Sequence, residues 1–89
     1  MNIEFKRSFA RDLKKKAKDA NLRSRVQEII QQVDDADRVD EIRNLKKLRA
    51  EGNYYRIRLG DYRIGLTIEA DTVCFVRFLH RSEIYRYFP

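Results

Sequence analysis

The chain has 89 residues, which is enough for one hydrophobic core and predicts a single domain over residues 1–89. Twenty Lys and Arg residues against fourteen Asp and Glu give a formal net charge of +6, which favours a polyanionic or acidic partner. One cysteine excludes an internal disulfide, and a lone histidine with no carboxylates clustered among the arginines argues against a metal site. No apolar run is long enough for a bilayer, and the first residues lack a signal-peptide core, so we expect a cytoplasmic protein without membrane contact.

The first third of the chain predicts a strand followed by two helices. Residues 2–5 alternate polar and apolar side chains, as in a short strand with one buried face. Apolar residues then recur at helical spacing from about residue 8 to residue 20, with Ser8 as the expected N-cap. A second helical pattern follows, and Asn21 is expected to end the first helix and cap the second. The two helices should form an antiparallel hairpin.

The middle of the chain has no strong pattern. Residues 34–41 are rich in aspartate and interrupt the helical spacing, so they are interpreted as a loop or a frayed helix end. Leucines at a spacing of three follow, which indicates a short helix or an irregular connection. Lys46 and Lys47 in this connection could extend a basic surface, although solvated surface is the commoner role for such a pair.

Residues 54–68 predict a β-hairpin. Two runs of alternating apolar and polar residues flank Gly60-Asp61, and a glycine at the first central position fits a two-residue type II′ turn. The turn fixes the register, because side chains opposite each other are counted outward from it. The expected pairs are Leu59 with Tyr62, Arg58 with Arg63, Ile57 with Ile64, Arg56 with Gly65, Tyr55 with Leu66, and Tyr54 with Thr67.

One face of this hairpin is apolar, and the other carries three arginines beside Tyr54. Arg58 directly opposite Arg63 is repulsive, which a fold tolerates most easily where an anion sits between the two guanidinium groups. Gly65 leaves room for something bulky to lie on the sheet. Every cation after Gly52 is arginine, which grips phosphate through a planar fork. Two interpretations stay open: a solvated basic face, or a face that binds phosphate and stacks bases.

The last strand is expected from about residue 72 to residue 79. A two-residue loop at Ala70-Asp71 would turn Arg77 toward the helices, whereas a three-residue loop, residues 69–71, puts Arg77 on the open face across from Arg63. Because burying an unpaired arginine costs several kcal/mol, we predict the longer loop. The consequence is an open apolar strip that would suit a protein partner. This strip consists of Val73, Phe75 and Leu79.

The C-terminal tail follows this strand. Arg81 and Tyr85 are close enough in sequence to fold back over the hairpin arginines. Tyr87 and Phe88 are interpreted as tail residues packed on the sheet edge, and Cys74, within the strand, as a buried structural thiol.

The segment YRIRLGDYRIGLTI followed by FLHRSEIY resembles the RelE/ParE superfamily of bacterial type II toxins, and within it the RelE-like messenger-RNA interferases. The resemblance covers nearly the whole chain. It implies an α+β fold with an N-terminal strand, an antiparallel helical hairpin, a three-stranded antiparallel meander that completes the sheet, and a short C-terminal tail. ParE-like relatives share this fold and poison DNA gyrase, so the resemblance is less specific for activity.

The family's functional set is a basic pair before the hairpin turn, an arginine after it, an arginine ending the last strand and a tyrosine beyond. Here these positions are Arg56, Arg58, Arg63, Arg81 and Tyr85. The resemblance implies cleavage of messenger RNA in the 30S A site of the 70S ribosome, by attack of a ribose 2′-hydroxyl on the adjacent phosphate, without metal or cofactor. It also implies a cognate antitoxin, with operator DNA bound only through the antitoxin complex. The alternative is a non-nucleolytic, ParE-like gyrase inhibitor, or an inactive module that binds antitoxin and DNA.

One departure from the family concerns the proton of the 2′-hydroxyl. The best-known RelE members carry lysines at the first basic pair, whereas this chain has arginines, which cannot act as a base at neutral pH. The acceptor is then expected to be Tyr85, whose phenolate nearby arginines would favour, or His80, which strand parity turns away from the open face. Arg63 and Arg81 are expected to hold the scissile phosphate. The other expected RNA-binding residues are Tyr54, Arg56, Arg58 and Arg77.

Overall fold

The computed structural model describes residues 1–49 and 51–89 and contains one mixed β-sheet, with strand order β1-β5-β4-β3-β2. β1 is parallel to β5 and the other neighbours are antiparallel, so the expected α+β fold is confirmed. In chain order the elements are β1 (Asn2–Phe5), α1 (Arg7–Lys16), α2 (Ala20–Asp35), a 3₁₀ turn (Val39–Glu41), β2 (Leu45–Lys47), β3 (Tyr54–Leu59), β4 (Tyr62–Glu69), β5 (Thr72–His80) and α3 (Ile84–Tyr87). Within the described ranges, no helix is both long and apolar enough to cross a bilayer.

Both predicted helix caps are wrong. Ser8 lies inside α1, and its hydroxyl donates to the backbone carbonyl of Val76 on β5. α2 is capped by Asp19, whose carboxylate accepts from the backbone N–H of Asn21 at 3.0 Å. An aspartate just before the first helical turn is as good a cap as asparagine, so the cap lies two residues earlier than predicted.

The main core lies between the two long helices and one face of the sheet. Phe9, Val26 and Val33 contribute from the helices and are at most 2% exposed. On β3 and β4 the inward side chains follow the two-residue period of a strand. Fully burying each large apolar side chain contributes roughly 1.5–3 kcal/mol before the entropy cost of ordering. The fully buried sheet residues of this main core are Ile57, Ile64, Leu66, Val73, Phe75 and Phe78.

The hairpin register is confirmed at all six pairs, including Arg58 opposite Arg63 and Arg56 opposite Gly65. Gly60 has a φ of +58°, the left-handed conformation that the first central residue of a type II′ turn requires. Alternation and turn chemistry agree here, which is why local sequence was sufficient to set the register.

The predicted register of β5 is wrong. Glu69 pairs with Thr72, so the loop has two residues, and Ala70 takes the left-handed conformation with a φ of +51°. A β-bulge at Val76 then adds one residue to β5 and reverses which face each later residue points to. Arg63 therefore lies opposite Leu79, and Arg77 lies opposite Gly65.

The predicted apolar strip does not exist, because the two-residue loop turns its first two members inward and the C-terminal tail covers the third. Val73 and Phe75 point into the main core before the bulge, and both are fully buried. Leu79 is on the other face but is covered by the C-terminal tail and is 1% exposed. Cys74 is a buried free thiol as expected, on the outer face opposite Thr67, and burial raises the pKa of that thiol.

The structure contains a strand that sequence patterns did not predict. β2 pairs with residues 55–57 of β3, placing Lys46 opposite Arg56. Asn44, with a φ of +61°, turns the chain into this strand. Leucines at a spacing of three resemble a helical pattern, and the strand exists because the edge of β3 offers free backbone groups to pair with.

Candidate functional site

Three arginines of the hairpin share the sheet face that points away from α1 and α2. Arg56 and Arg58 alternate with core residues along β3, and Arg63 lies on β4 directly opposite Arg58. Arg81 follows the end of β5, near enough that its charge affects Arg63. These four residues, here called the arginine cluster, are brought together as the sequence predicted.

Arg63 lies at the centre of the cluster. Its Nη1 donates to the carbonyl oxygens of Gly60 and Tyr62, each at 2.8 Å, so the side chain is held against the hairpin turn. Burial, and after it the positive charges of Arg56 and Arg58, lower the pKa of Arg63 from its ordinary value. Mutual destabilisation of neighbouring cations is relieved when an anion binds between them.

The side chain of Arg56 is hydrogen-bonded to the residue that precedes β2. Its Nη1 donates to the carbonyl oxygen of Asn44 at 2.9 Å, while its Nε is buried with no hydrogen-bond partner among the described residues. Lys46 lies opposite Arg56 across the β2–β3 ladder and is exposed. This lysine therefore joins the basic face, which the sequence left undecided because β2 was not predicted.

The hairpin turn also holds Arg81. The backbone N–H of Arg81 donates to the carbonyl oxygen of Asp61 at 2.7 Å. The Asp61 carboxylate lies 3.9 Å from Nε of Arg81, and both side chains are largely exposed. A single turn thus orients two members of the cluster, Arg63 through its carbonyls and Arg81 through Asp61.

Tyr85 lies in α3, the single helical turn that follows Arg81. Its side chain is 67% exposed, and it is close enough to Arg63 that a phenolate there would raise the pKa of that arginine. The predicted return of the tail over the hairpin arginines is confirmed.

A small second core fixes the tail on the sheet. Phe88 is 3% exposed and lies on Gly65, where an added Cβ would come within 2.7 Å of its ring. The space that Gly65 leaves on the sheet is therefore filled by the chain's own tail. Tyr54 meets Phe88 edge to face, with ring centroids 5.7 Å apart, and is 37% exposed. Tyr87, expected to pack on the sheet edge, is instead half exposed.

Arg77 is not part of the cluster, which corrects the predicted register across from Arg63. Its Nε donates to Oδ2 of Asp12 on α1 at 2.7 Å, and the same oxygen accepts from the backbone N–H of Phe78 at 3.0 Å. β1 ends opposite Phe75, so the backbone of β5 has no strand partner on that side beyond this point. Asp12, which is only 4% exposed, takes the place of a strand there by accepting the hydrogen bond of the Phe78 N–H. Arg77 compensates this buried carboxylate.

His80 points away from the arginine cluster, as strand parity predicted. It lies opposite Tyr62, with ring centroids 5.7 Å apart, on the face shared with Phe78. Its Nδ1 accepts from the backbone N–H of Ser82 at 3.2 Å and is 2.8 Å from the Ser82 hydroxyl.

An ion pair anchors the tail to α1. Nζ of Lys16 lies 3.0 Å from Oε1 of Glu83, the residue directly before α3. The side-chain hydrogen bond from Lys16 lowers the pKa of Glu83. Since α3 carries Tyr85, this pair connects the first helix to the position of the tyrosine.

Replacing Glu83 with glutamine should reduce stability in a pH-dependent way. A carboxyl whose pKa is lower in the folded than in the unfolded state contributes stability above its unfolded value, about 4.3 for glutamate, and loses it as pH falls through the folded value. We expect Glu83→Gln to lower the free energy of unfolding by at most about 1 kcal/mol at pH 7, because the pair is partly exposed. The difference between melting temperatures should vanish near pH 3, and an equal difference at both pH values would contradict this.

Two further arginines lie near the cluster that no sequence pattern singled out. Arg25 on α2 and Arg43 before β2 line a cleft at the turn end of the hairpin, together with Arg58, Arg63 and Arg81. Helical periodicity marks Arg25 only as a solvent-facing residue, and nothing in sequence spacing connects it with residues 58–81. Tertiary packing brings it to the site.

Comparison with known proteins identifies relatives along the full chain. A family model described as the ParE toxin of the type II toxin–antitoxin system parDE matches residues 3–85. Toxin RelE3 of Methanocaldococcus jannaschii is 39% identical over 90 residues, which cover 100% of both chains.

Solved structures share the fold. A chain of the RelB-RelE antitoxin-toxin complex from Methanococcus jannaschii superposes with a TM-score of 0.78 at 38% identity, covering 97% of this chain and 99% of that one. A chain of the RelBE2 complex from Mycobacterium tuberculosis gives 0.67 at 28% identity, with 90% and 96% covered. YafQ from E. coli, at 15% identity with 94% and 97% covered, matches in fold alone with a TM-score of 0.64. The chain therefore belongs to the ParE toxin family of type II toxin–antitoxin systems, within the RelE/ParE superfamily that its hairpin and tail resemble.

Proposed function

We propose that this protein is the toxin of a toxin–antitoxin pair and an endoribonuclease that cleaves messenger RNA in the ribosomal A site, thereby inhibiting translation. The observation that carries the proposal is the convergence of the arginine cluster and Tyr85 on one sheet face. The 39% identity to a protein named Toxin RelE3 supports it. An inhibitor that only binds a partner needs basic residues, but not a tyrosine hydroxyl beside a phosphate-binding arginine.

The proposed reaction is an attack of a ribose 2′-oxygen on the adjacent phosphorus. A new phosphorus–oxygen bond forms, the bond to the 5′-oxygen of the next nucleotide breaks, and that oxygen takes a proton from water. Arg63 and Arg81 bind the scissile phosphate and stabilise the charge that develops on its oxygens, while Arg56 and Arg58 bind neighbouring phosphates. The guanidinium groups supply the positive charge, so the proposed mechanism requires no metal ion.

In this proposal the phenolate of Tyr85 accepts the proton of the 2′-hydroxyl, and the hydroxide left by the water that protonates the 5′-oxygen takes this proton back and restores the phenolate. Tyr85 is on the exposed side of α3 near Arg63, whereas His80 contacts Tyr62 on the opposite face of β5. A general base must be within hydrogen-bond reach of the proton it accepts, directly or through one water. His80 does not meet that requirement without a rearrangement of the end of β5.

We also propose a cognate antitoxin as the physiological partner, in a cytoplasm where ribosomes are present. A chain of the RelB-RelE antitoxin-toxin complex from Methanococcus jannaschii is 38% identical to this chain, which supports an antitoxin partner. Binding to operator DNA would then occur through the antitoxin complex. Because Val73, Phe75 and Leu79 are buried, they are not available to bind the antitoxin.

A second candidate function is inhibition of DNA gyrase without RNA cleavage. The matching family model is described as a ParE toxin, and this description favours gyrase inhibition. Basic residues on a sheet face are compatible with either activity, so the fold alone does not decide between them.

A primer-extension assay on ribosomes that carry a defined message tests the two functions together. The proposed function predicts new 5′ ends that map to cleavage in the A-site codon when wild-type protein is added, and none when the same message is free of ribosomes. A parallel supercoiling assay with purified gyrase should show no inhibition. Supercoiling inhibition with intact ribosome-bound message would reject the ribonuclease and select the gyrase inhibitor.

A further inference from the structure

A cleft of about 950 Å³ opens beside the arginine cluster, at the end of β3. β2 pairs with residues 55–57, and the backbone N–H of Arg58 donates to the carbonyl oxygen of Asn44 at 3.2 Å, so the sheet edge opens beyond Arg58. α2 forms the opposite wall with Arg25, and Arg43 closes the end from the segment before β2. The volume lies within the range of ligand pockets in proteins.

The charge of this cleft is strongly positive. Five of its lining residues are arginines and two, Glu28 and Asp61, are acidic. In the described part of the chain, the ion pairs within 4.0 Å include neither Arg25 nor Arg43. Unpaired arginines along a concave surface raise the local concentration of anions, and their planar guanidinium groups suit phosphate.

Arg25 approaches the hairpin turn from α2. Its Nη1 lies 3.7 Å from the position that a Cβ on Gly60 would take, which is ordinary van der Waals contact. The turn and α2 are therefore close enough for Arg25 and the arginines of the hairpin to line the same cleft.

The cleft is continuous with the arginine cluster, because Arg58, Arg63 and Arg81 line both. A chain whose phosphate lies at Arg63 and Arg81 can continue along Arg58 into the cleft without leaving basic surface. We propose that Arg25 and Arg43 bind a second RNA phosphodiester in this cleft, one that flanks the phosphate held by the arginine cluster. The inference rests on the proposed function, since it assumes that the cluster binds RNA.

Two sources of RNA share this chemistry, the message and the ribosomal RNA, and binding measurements distinguish them. The first arm measures fluorescence anisotropy of short 2′-O-methyl RNA oligonucleotides, which cannot be cleaved through the 2′-oxygen, with the free protein. The second arm measures sedimentation of the protein with ribosomes that carry no message. Wild type is compared with the double variant Arg25→Ala/Arg43→Ala in both arms.

A charge-matched control is available on α1 and its end. Lys14 and Lys18 are exposed cations that line a separate groove between the helices. Lys14→Ala/Lys18→Ala removes the same two charges from another surface. Arg25→Lys/Arg43→Lys retains charge but not the planar fork and should restore part of the affinity.

We expect the arginine double variant to bind a six-nucleotide RNA about tenfold more weakly, with a salt-dependence slope smaller by about 0.7, the contribution of one lost phosphate contact on a single strand. The lysine control should change affinity by less than about twofold. Loss in the oligonucleotide arm assigns the cleft to the message, and loss only with empty ribosomes assigns it to ribosomal RNA. Equal losses for both double variants, or no loss in either arm, would overturn the proposal.

Cleavage of ribosome-bound message by wild type is recorded in parallel. If wild type binds RNA through Arg25 and Arg43 but cuts nothing, the proposed enzymatic function fails while the cleft assignment holds. If wild type cuts and the arginine double variant binds RNA as wild type does, the cleft assignment fails alone. Melting temperatures of all variants should agree within a few degrees, because both arginines are exposed.

Discussion

Replacing Arg63 with alanine should reduce cleavage of ribosome-bound message by about 10²- to 10³-fold, which corresponds to roughly 3–4 kcal/mol of transition-state stabilisation. Arg63 is the cluster member oriented by two carbonyl oxygens and flanked by the charges of Arg56 and Arg58. A preorganised donor of this kind does not reorient during the reaction, so its removal acts on the chemical step. Single-turnover primer extension at saturating protein measures this loss separately from weaker binding.

The same substitution should not destabilise the fold. Arg63 lies opposite Arg58, and like charges directly across a ladder oppose sheet formation. Removing one of them should leave the melting temperature unchanged or slightly higher. Residual RNA binding through Arg56 and Arg81 is expected, since phosphate contacts contribute independently of the cleavage chemistry.

Lys14→Ala is a suitable control for Arg63→Ala, because it removes one exposed positive charge from α1 and should cleave at the wild-type rate. Arg63→Lys tests the fork geometry, since lysine offers a point charge without the paired donors, and an intermediate rate is expected. If Arg63→Ala cleaved as fast as wild type while remaining folded, the role given to the arginine cluster would be wrong.

The hairpin was predictable because two independent local signals gave the same answer. Alternation assigned Ile57 and Ile64 to the core, and the glycine of the turn fixed the register, so the partners of Arg56, Arg58 and Arg63 followed by counting. Gly65 was interpreted correctly as a position where bulk lies on the sheet, although its occupant, Phe88, comes from the tail.

The last strand was not predictable for a specific physical reason. Arg77 does avoid burial without a partner, but there are two ways to achieve this. The side chain can lie on the open face, as predicted, or it can pair with a buried carboxylate. The chain uses a bulge at Val76 and a carboxylate, Asp12, supplied from 65 residues away. A bulge changes which face the later residues point to without changing the composition of the strand, so it leaves no local signal. A contact between residues 12 and 77 leaves none either, because the two are far apart in sequence. The predicted apolar strip was wrong at Val73 and Phe75 because of the parity, and at Leu79 because the C-terminal tail covers it.

The site was predictable where it depends on the hairpin and tail and hidden where it depends on packing between distant segments. Arg81 and Tyr85 follow a strand whose end faces the turn, so their return could be expected. Arg25 and Lys46 reach the basic surface through the placement of α2 and the pairing of β2. Such contacts are set by tertiary structure, which overrides local propensity.

Replacing Tyr85 with phenylalanine should separate the two candidate bases. Tyr85→Phe removes one hydroxyl from a side chain that is 67% exposed, so folding should be unaffected. If the hydroxyl accepts the 2′-proton, the rate of the chemical step should fall by about 10²- to 10⁴-fold, the usual contribution of general base catalysis. His80→Asn should keep the wild-type rate within a few fold, because its ring contacts Tyr62 on the other face of β5.

Tyr87→Phe provides the matched control, since Tyr87 lies in the same helical turn, is half exposed and loses the same atom. Single-turnover cleavage by the three variants is measured from pH 6 to pH 9 with one message. A phenolic base gives a rate that continues to rise through this range, whereas imidazole bases level off above about pH 7. A wild-type rate for Tyr85→Phe with an inactive His80→Asn would transfer the role to the histidine, and would require the end of β5 to rearrange on the ribosome so that its ring reaches the face that carries Arg63.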